Sequence, residues 1–145
     1  MTSPPSTAGT HGPPTLLRGI RVLVVDDNPD VRELISAVLE RAQAEVATAA
    51  SADEALEAVK SKRPDVLLCD LHMPGIDGFE LIHRVRAWER TGGPGSAIPA
   101  AAVSAYASLG RRLRHARDEF QAFLTKPVDP DALVQAVRDL AQRSA

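Results

Sequence analysis

Short apolar runs alternate with amphipathic helical stretches along most of this chain. The run from Val66 to Cys69 has the length and aliphatic content of a buried strand, and the run from Ile20 to Val25 repeats the pattern. A stretch with helical periodicity follows each apolar run. Because strands that alternate with helices pair in parallel through right-handed crossovers, the sequence predicts an α/β domain with helices on both faces of a parallel sheet.

The alternation predicts five strands and five helices. The strands are expected at residues 20–25, 45–49, 66–69, 100–104 and 122–124. The helices are expected from residue 29 onward, at residues 51–62, 78–90 and 108–118, and from residue 130 onward. Two helix starts carry a capping residue followed by proline, at Asn28 and at Asp129. Ser51 and Glu54 have the spacing of a capping box. In the first helix the residues expected to share the buried face are Val31, Leu34, Ile35, Val38 and Leu39.

Residues 1–19 have a different composition from the rest of the chain. They contain four prolines together with several serines and threonines, and they show no periodicity before Leu16. Such a stretch cannot bury enough apolar surface to order itself. We therefore predict a disordered tail or linker over residues 1–19 and a single domain over residues 20–143.

Charge and cysteine content exclude several classes of protein. Lys and Arg number 17 against 19 Asp and Glu, and this mildly acidic balance argues against direct nucleic-acid binding. The single cysteine, Cys69, excludes an internal disulfide and fits a reducing cytoplasm. No run of about 18 apolar residues and no signal-peptide pattern is present, so we expect neither membrane insertion nor export.

Polar residues stand where the predicted strands end. Asp26 and Asp27 follow the first strand, Asp70 the third, Ser104 closes the fourth and Lys126 follows the fifth. The carboxyl ends of parallel strands share one edge of the sheet, where ligands bind. Any one of these residues alone is also explained as a turn or capping residue. Their occurrence at successive strand ends favours a common site.

The chemistry of this set indicates phosphoryl transfer. Three neighbouring carboxylates repel one another unless a cation lies among them, and hard oxygen ligands open to water suit Mg²⁺. Because Mg²⁺ takes few protein carboxylates, one is left to attack phosphorus and form an aspartyl phosphate. Lys126 would neutralise the transferring oxygens, and the Ser104 hydroxyl would donate a hydrogen bond to one of them.

These motifs, taken in order, resemble the receiver domain of two-component response regulators. The resemblance covers Arg21 to Gln142 and rests on Asp26-Asp27, Asp70-x-x-Met73-Pro74-x-x-Asp77-Gly78, Ser104-Ala105-Tyr106 and Lys126-Pro127. It implies a flavodoxin-like sheet with strand order 2-1-3-4-5 and a cis peptide bond before Pro127. Receivers of hybrid histidine kinases and stand-alone single-domain regulators are equally similar.

The resemblance also implies a role for each matching residue. Asp70 corresponds to the phosphoacceptor, Asp27 to the direct metal ligand and Asp26 to the acid that holds metal-bound water. The backbone carbonyl of His72 would complete the Mg²⁺ site. Ser104 and Tyr106 correspond to the switch residues, and Lys126 to the lysine that contacts phosphate.

The implied function is a signalling switch rather than an enzyme acting on other molecules. A histidine kinase or phosphotransfer protein would donate the phosphoryl group to Asp70, and a downstream protein would bind the surface of the fourth helix, fifth strand and fifth helix. A phosphatase of the dehalogenase kind fits poorly, because His72 stands where that class has a second aspartate. An interaction module of the same fold that is never phosphorylated remains the alternative.

Overall fold

The structure, a computed structural model, describes residues 16–92, 97–105 and 119–143. The strands are β1 (Arg21–Val25), β2 (Glu45–Ala49), β3 (Val66–Asp70), β4 (Ala100–Ser104) and β5 (Ala122–Thr125). The helices in the described residues are α1 (Pro29–Arg41), α2 (Ala52–Ser61), α3 (Gly78–Gly92) and α4 (Pro130–Arg143).

All five strands form one parallel sheet in the order β2-β1-β3-β4-β5. This confirms the predicted fold class and strand order. β3 lies at the centre, and each of its five residues is buried. β2 and β5 are the edge strands, and all their residues except Ala49 are partly or largely exposed.

Successive residues of the central strands point to opposite faces of the sheet and so supply two separate cores. One core contains Leu23, Leu67 and Cys69 and is covered by α2 and α3. The other contains Val22, Val24 and Leu68 and is covered by α1 and α4. The four helices of the described residues therefore lie two on each face, and the loops that follow the strands are left at one edge of the sheet.

The helix starts follow the capping signals. The Asn28 side chain accepts hydrogen bonds from the backbone N–H groups of Asp30 and Val31 ahead of α1. At α2, Ser51 Oγ accepts from Glu54 N at 3.2 Å, and Glu54 Oε1 accepts from Ala50 N at 2.9 Å. The contacts to Asp30, Val31 and Glu54 satisfy N–H groups that have no partner inside their helix, and the contact to Ala50 fixes the residue before the Ser51 cap.

The structure corrects one part of the predicted helix pattern. Leu34 was expected on the buried face of α1, but 61% of it is exposed. The residues that face the sheet are centred on Ile35 and Leu39. Leu34 is rotated by about 100° from Ile35 around the helix axis, and this places it at the border of the covered face.

Two further predictions concern the ends and loops of the domain. Four helices occur in the described residues rather than five, since the helix predicted at 108–118 lies outside them. Residues 16–19 were expected to belong to the tail, but they form a turn in which Leu17 is fully buried. The N–H of Leu17 donates to the Ala42 carbonyl at 2.9 Å, which attaches this turn to the end of α1.

Arg86 and Glu89 of α3 form a mostly buried ion pair that the sequence pattern did not indicate. Arg86 Nη1 donates to both carboxylate oxygens of Glu89 at 3.1 Å and to the Ile98 carbonyl at 2.8 Å. Arg86 Nη2 also donates to the Glu119 carbonyl. The side chains of Arg86 and Glu89 are only 8% and 11% exposed. Together they connect α3 to the segments that lead into β4 and β5.

No helix in the described part of the chain combines the length and apolar character needed to cross a membrane.

Candidate acidic site at the carboxyl edge of the sheet

The carboxyl ends of β1, β3 and β5 bring four of the predicted site residues together. Asp26, Asp27 and Asp70 each have a carboxylate oxygen within 4.8 Å of those of the other two. Asp26 and Asp70 are buried, whereas Asp27 is exposed. Lys126 completes the group from the end of β5. The site is therefore an acidic cluster that is open to solvent on the side of Asp27.

The turn after β1 holds Asp26 firmly. Its Oδ1 accepts a hydrogen bond from Asn28 N at 2.9 Å, and its own N–H donates to the Ala49 carbonyl at 3.2 Å. Its carbonyl oxygen accepts from Arg32 Nη1 at 2.7 Å. Because Asn28 also caps α1, the start of this helix and the position of Asp26 are set by the same few residues.

The turn after β3 presents Asp70 in a comparable way. Asp70 Oδ1 accepts from the backbone N–H of His72 at 3.1 Å. Gly75 has a φ of +76°, a conformation that side chains with a Cβ rarely adopt, and this permits the reversal toward α3. Asp77 Oδ1 then accepts from Glu80 N at 3.0 Å and caps that helix.

Gly78 lets the start of α3 approach the end of β3 very closely. A Cβ at position 78 would overlap the Asp70 carbonyl oxygen and lie 2.9 Å from Leu71 Cα. The Cys69 sulfur would be 3.0 Å away. Since backbone atoms cannot move aside easily, position 78 requires glycine for the backbone behind Asp70 to keep its place.

Lys126 links the two buried acids. Its Nζ lies 2.9 Å from Asp26 Oδ2 and 3.4 Å from Asp70 Oδ1. Its backbone N–H donates to the Ser104 carbonyl at 2.9 Å, which connects the ends of β4 and β5. The peptide bond between Lys126 and Pro127 is cis, as the resemblance implied.

Burial and neighbouring charges set the protonation behaviour of the cluster. Burial raises the pKa of Asp70; the His72 N–H and the Lys126 ammonium oppose this, and the Asp26 charge adds to it. Burial lowers the pKa of Lys126, but its hydrogen bond to Asp26 and the charge of Asp70 outweigh this and raise it overall. Burial also raises the pKa of the Cys69 thiol, so this thiol stays protonated.

For the remaining predicted site residues, the structure gives the burial of Ser104 and His72 but does not describe Tyr106. Ser104 is buried at the end of β4, beside the β3 strand that ends in Asp70. The His72 side chain is exposed. Tyr106 lies outside the described residues. The roles inferred for all three remain predictions.

Two residues near the site were missed by reasoning from the sequence. Arg32 was not singled out, although its position four residues after the Asn28 cap places it within about one helical turn of the residues that precede α1. Gly78 was noted only as part of a motif. Close backbone approach leaves no signal in a single sequence beyond the glycine itself.

The donor set fits Mg²⁺. Three carboxylates offer oxygen atoms at mutual distances of up to 4.8 Å, and oxygen is the ligand type that Mg²⁺ prefers. The exposed face at Asp27 leaves room for the waters that Mg²⁺ usually retains.

Comparison with known proteins agrees with this geometry. Residues 22–138 match the family model described as the response regulator receiver domain. An uncharacterized 14.6 kDa protein from Leptolyngbya boryana is 44% identical over 117 residues, which are 81% of this chain and 86% of that protein. The chemotaxis protein CheY4 of Vibrio cholerae has a similar structure, with a TM-score of 0.73, 29% identity, and coverage of 87% of this chain and 98% of CheY4.

A longer relative shows the same domain within a larger protein. The sensor protein GacS of Pseudomonas syringae pv. syringae is 34% identical over 137 residues, which are 94% of this chain but 15% of GacS. The match thus covers a small part of that protein. With the sheet order, the acidic cluster and the family match in agreement, this chain belongs to the response regulator receiver domain family.

Proposed function

We propose that this receiver domain accepts a phosphoryl group on Asp70 and relays the modification through a change in conformation. The observation that carries the proposal is the contact of Lys126 with the buried Asp26 and Asp70, beside the exposed Asp27. A nucleophilic carboxylate, an ammonium group and an open set of oxygen ligands are the components that phosphoryl transfer needs. The donor would be the phosphohistidine of a histidine kinase or a phosphotransfer protein.

In the proposed transfer, an Asp70 carboxylate oxygen forms a bond to phosphorus as the bond from phosphorus to the histidine nitrogen breaks. Mg²⁺, when held by Asp26, Asp27, Asp70 and the His72 carbonyl, would supply positive charge for the transferring oxygens. Lys126 stays protonated because its pKa is raised by the hydrogen bond to Asp26, against the effect of burial. Its ammonium group can therefore stabilise a phosphoryl oxygen.

The output of the proposed switch is a change near the end of β4. The Ser104 hydroxyl would donate a hydrogen bond to the new phosphoryl group, and Tyr106 would fill the space that Ser104 leaves. Shifting a two-state equilibrium from 1:99 to 99:1 takes about 5.5 kcal/mol. A few charge-assisted hydrogen bonds of about 1.5–3 kcal/mol each suffice. The surface of residues 108–118, β5 and α4 would then bind a downstream protein.

Water would reset the switch by attacking the acyl phosphate and releasing inorganic phosphate. The domain would then catalyse only its own phosphorylation and dephosphorylation. A cytoplasmic location is part of the proposal, because the lone Cys69 thiol stays reduced there.

The test is the intact mass of the protein after incubation with acetyl phosphate. Wild type with Mg²⁺ is expected to gain one phosphoryl group, and the gain should disappear with a chelator or in Asp70→Asn. Glu33→Gln, which removes an exposed acid of α1, is the matched control and should behave as wild type. Wild type that binds Mg²⁺ but gains no mass would favour an interaction module that is not phosphorylated.

A further inference from the structure

Arg32 makes a specific contact with the backbone at the acidic site. It lies one turn into α1, where its own N–H donates to the Asn28 carbonyl at 3.1 Å. Its Nη1 reaches back to donate to the Asp26 carbonyl oxygen at 2.7 Å. The short distance and the charged donor identify a strong hydrogen bond. A half-buried guanidinium group is thus directed at the backbone next to the carboxylates.

The acceptor of this hydrogen bond belongs to the peptide unit that joins Asp26 to Asp27. A peptide unit is planar, so fixing the Asp26 carbonyl also fixes the direction in which the chain enters Asp27. The Asp27 carboxylate makes no hydrogen bond or ion pair with any other described residue. Its position therefore depends on the backbone that carries it, and Arg32 holds the peptide immediately before it.

We propose that Arg32 is a positioning residue for divalent-cation binding, acting through the peptide unit between Asp26 and Asp27. The inference rests on the proposed function, because it takes the acidic cluster to be a Mg²⁺ site. Arg32 need not touch the cation, since the groups that it orients are the ligands themselves.

Two effects of Arg32 on cation affinity oppose each other. Its positive charge repels a cation, but the site is partly exposed and this repulsion is screened by water and salt. Fixing the ligand backbone favours binding, and losing an outer partner that orients a ligand typically lowers metal affinity by about 10–100-fold. Because screening limits the repulsion, we expect the orienting effect to be the larger of the two. Removing Arg32 should therefore weaken Mg²⁺ binding.

Arg21 provides a matched control at the amino end of β1, away from the acidic cluster. Its Nη1 donates to the Arg63 carbonyl at 3.1 Å, so it pairs the same donor with the same kind of acceptor. Arg21 begins β1, whereas the acidic cluster follows the end of that strand. If such a contact had only a general structural role, replacing Arg21 should lower the affinity for Mg²⁺ as much as replacing Arg32.

The experiment is calorimetric titration with MgCl₂ of wild type, Arg32→Met and Arg21→Met, with Asp27→Asn as the variant that loses a ligand. We expect the Kd for Mg²⁺ to rise about tenfold in Arg32→Met and to stay unchanged in Arg21→Met. Arg32→Lys, which retains a charged donor, should lie between wild type and Arg32→Met. It also provides the comparison if Arg32→Met does not fold.

The outcomes separate this inference from the proposed function. Unchanged or tighter Mg²⁺ binding in Arg32→Met and Arg32→Lys would overturn the positioning role while leaving the proposed function intact. An equal loss of affinity in Arg21→Met would also overturn it, because the effect would then be general. Wild type that binds no Mg²⁺ would refute the proposed function and, with it, the role of Arg32.

Discussion

The Lys126 ammonium donates a hydrogen bond of 2.9 Å to Oδ2 of Asp26, a residue 100 positions earlier in the chain. This contact places a positive charge of the protein within its own acidic cluster. It compensates a carboxylate that is almost completely buried. In the proposed reaction the same ammonium group is shared with the phosphoryl oxygens.

Replacement of Lys126 by Met should destabilise the protein by about 1.5–3 kcal/mol in the presence of a chelator, because Asp26 loses a charged partner. Added Mg²⁺ should restore more stability to this variant than it gives to wild type, since a cation replaces the missing charge. Thermal unfolding with EDTA and with Mg²⁺ measures both effects. Lys62→Met, which removes an exposed ion pair with Glu45, is the control and should cost less than about 1 kcal/mol. Equal Mg²⁺ stabilisation of Lys126→Met and wild type would contradict this.

Replacement of Asp70 by Asn should stabilise the metal-free protein at neutral pH. Burial, the largest cause, raises the pKa of Asp70 in the folded state, so its ionised form opposes folding wherever the pH exceeds that raised value. The gain should shrink as the pH falls through the folded-state pKa. It should vanish below the ordinary range of a carboxyl group, where wild type is protonated in both states.

Thermal unfolding of wild type and Asp70→Asn from acid to neutral pH, in EDTA, measures this difference. Asp53→Asn removes an exposed carboxylate and controls for a simple change in net charge. A neutral-pH stability of Asp70→Asn at or below that of wild type would show that the contacts of Asp70 with His72 and Lys126 outweigh the cost of its burial.

Much of the fold could be predicted because each strand and helix carries its own local signal. β2 and β4 have the predicted bounds, and the caps at Asn28 and Ser51 act as expected. The order of the strands in the sheet has no such local signal, because it depends on which strands pair with one another. Only the family resemblance supplied the correct order.

Replacement of Gly78 by Ala should cost about 1–3 kcal/mol, because the new methyl group would clash with the backbone of Asp70 and Leu71. Gly92→Ala, at the other end of α3, is the matched control. Its Cβ would meet nothing within 4 Å, and alanine favours a helix over glycine, so no loss is expected there. Urea unfolding of both variants tests the pair. Equal stability of Gly78→Ala and wild type would show that the start of α3 can move away from β3.

Replacement of Arg86 by Met should destabilise the protein by about 3–5 kcal/mol, because the buried Glu89 carboxylate would keep the Ile98 N–H but lose its charged partner. The carbonyls of Ile98 and Glu119 would also lose a donor. Arg84→Met, in the same helix, removes an exposed ion pair with Glu80 and should cost less than about 1 kcal/mol. Urea unfolding distinguishes the two, and similar losses would show that the Arg86 pair contributes no more than a surface contact.

Arg86 and Leu17 show why parts of the packing could not be predicted. A charged residue in a helix is typical of the solvent-facing side, and the sequence gives no sign that a loop carbonyl will lie beside it. Leu17 stands in a proline-rich stretch without periodicity, yet it is fully buried against the end of α1. Both depend on contacts between distant segments, whereas periodicity and capping are local.

The position of the phosphoryl group tests the central claim most directly. Borohydride reduction converts an aspartyl phosphate to homoserine, and peptide mass spectrometry then identifies the modified residue. After incubation with acetyl phosphate and Mg²⁺, we predict homoserine at position 70 and unmodified aspartate at positions 26 and 27. Homoserine at position 26 or 27, or at none of the three in protein that binds Mg²⁺, would contradict the assignment of Asp70 as the phosphoacceptor.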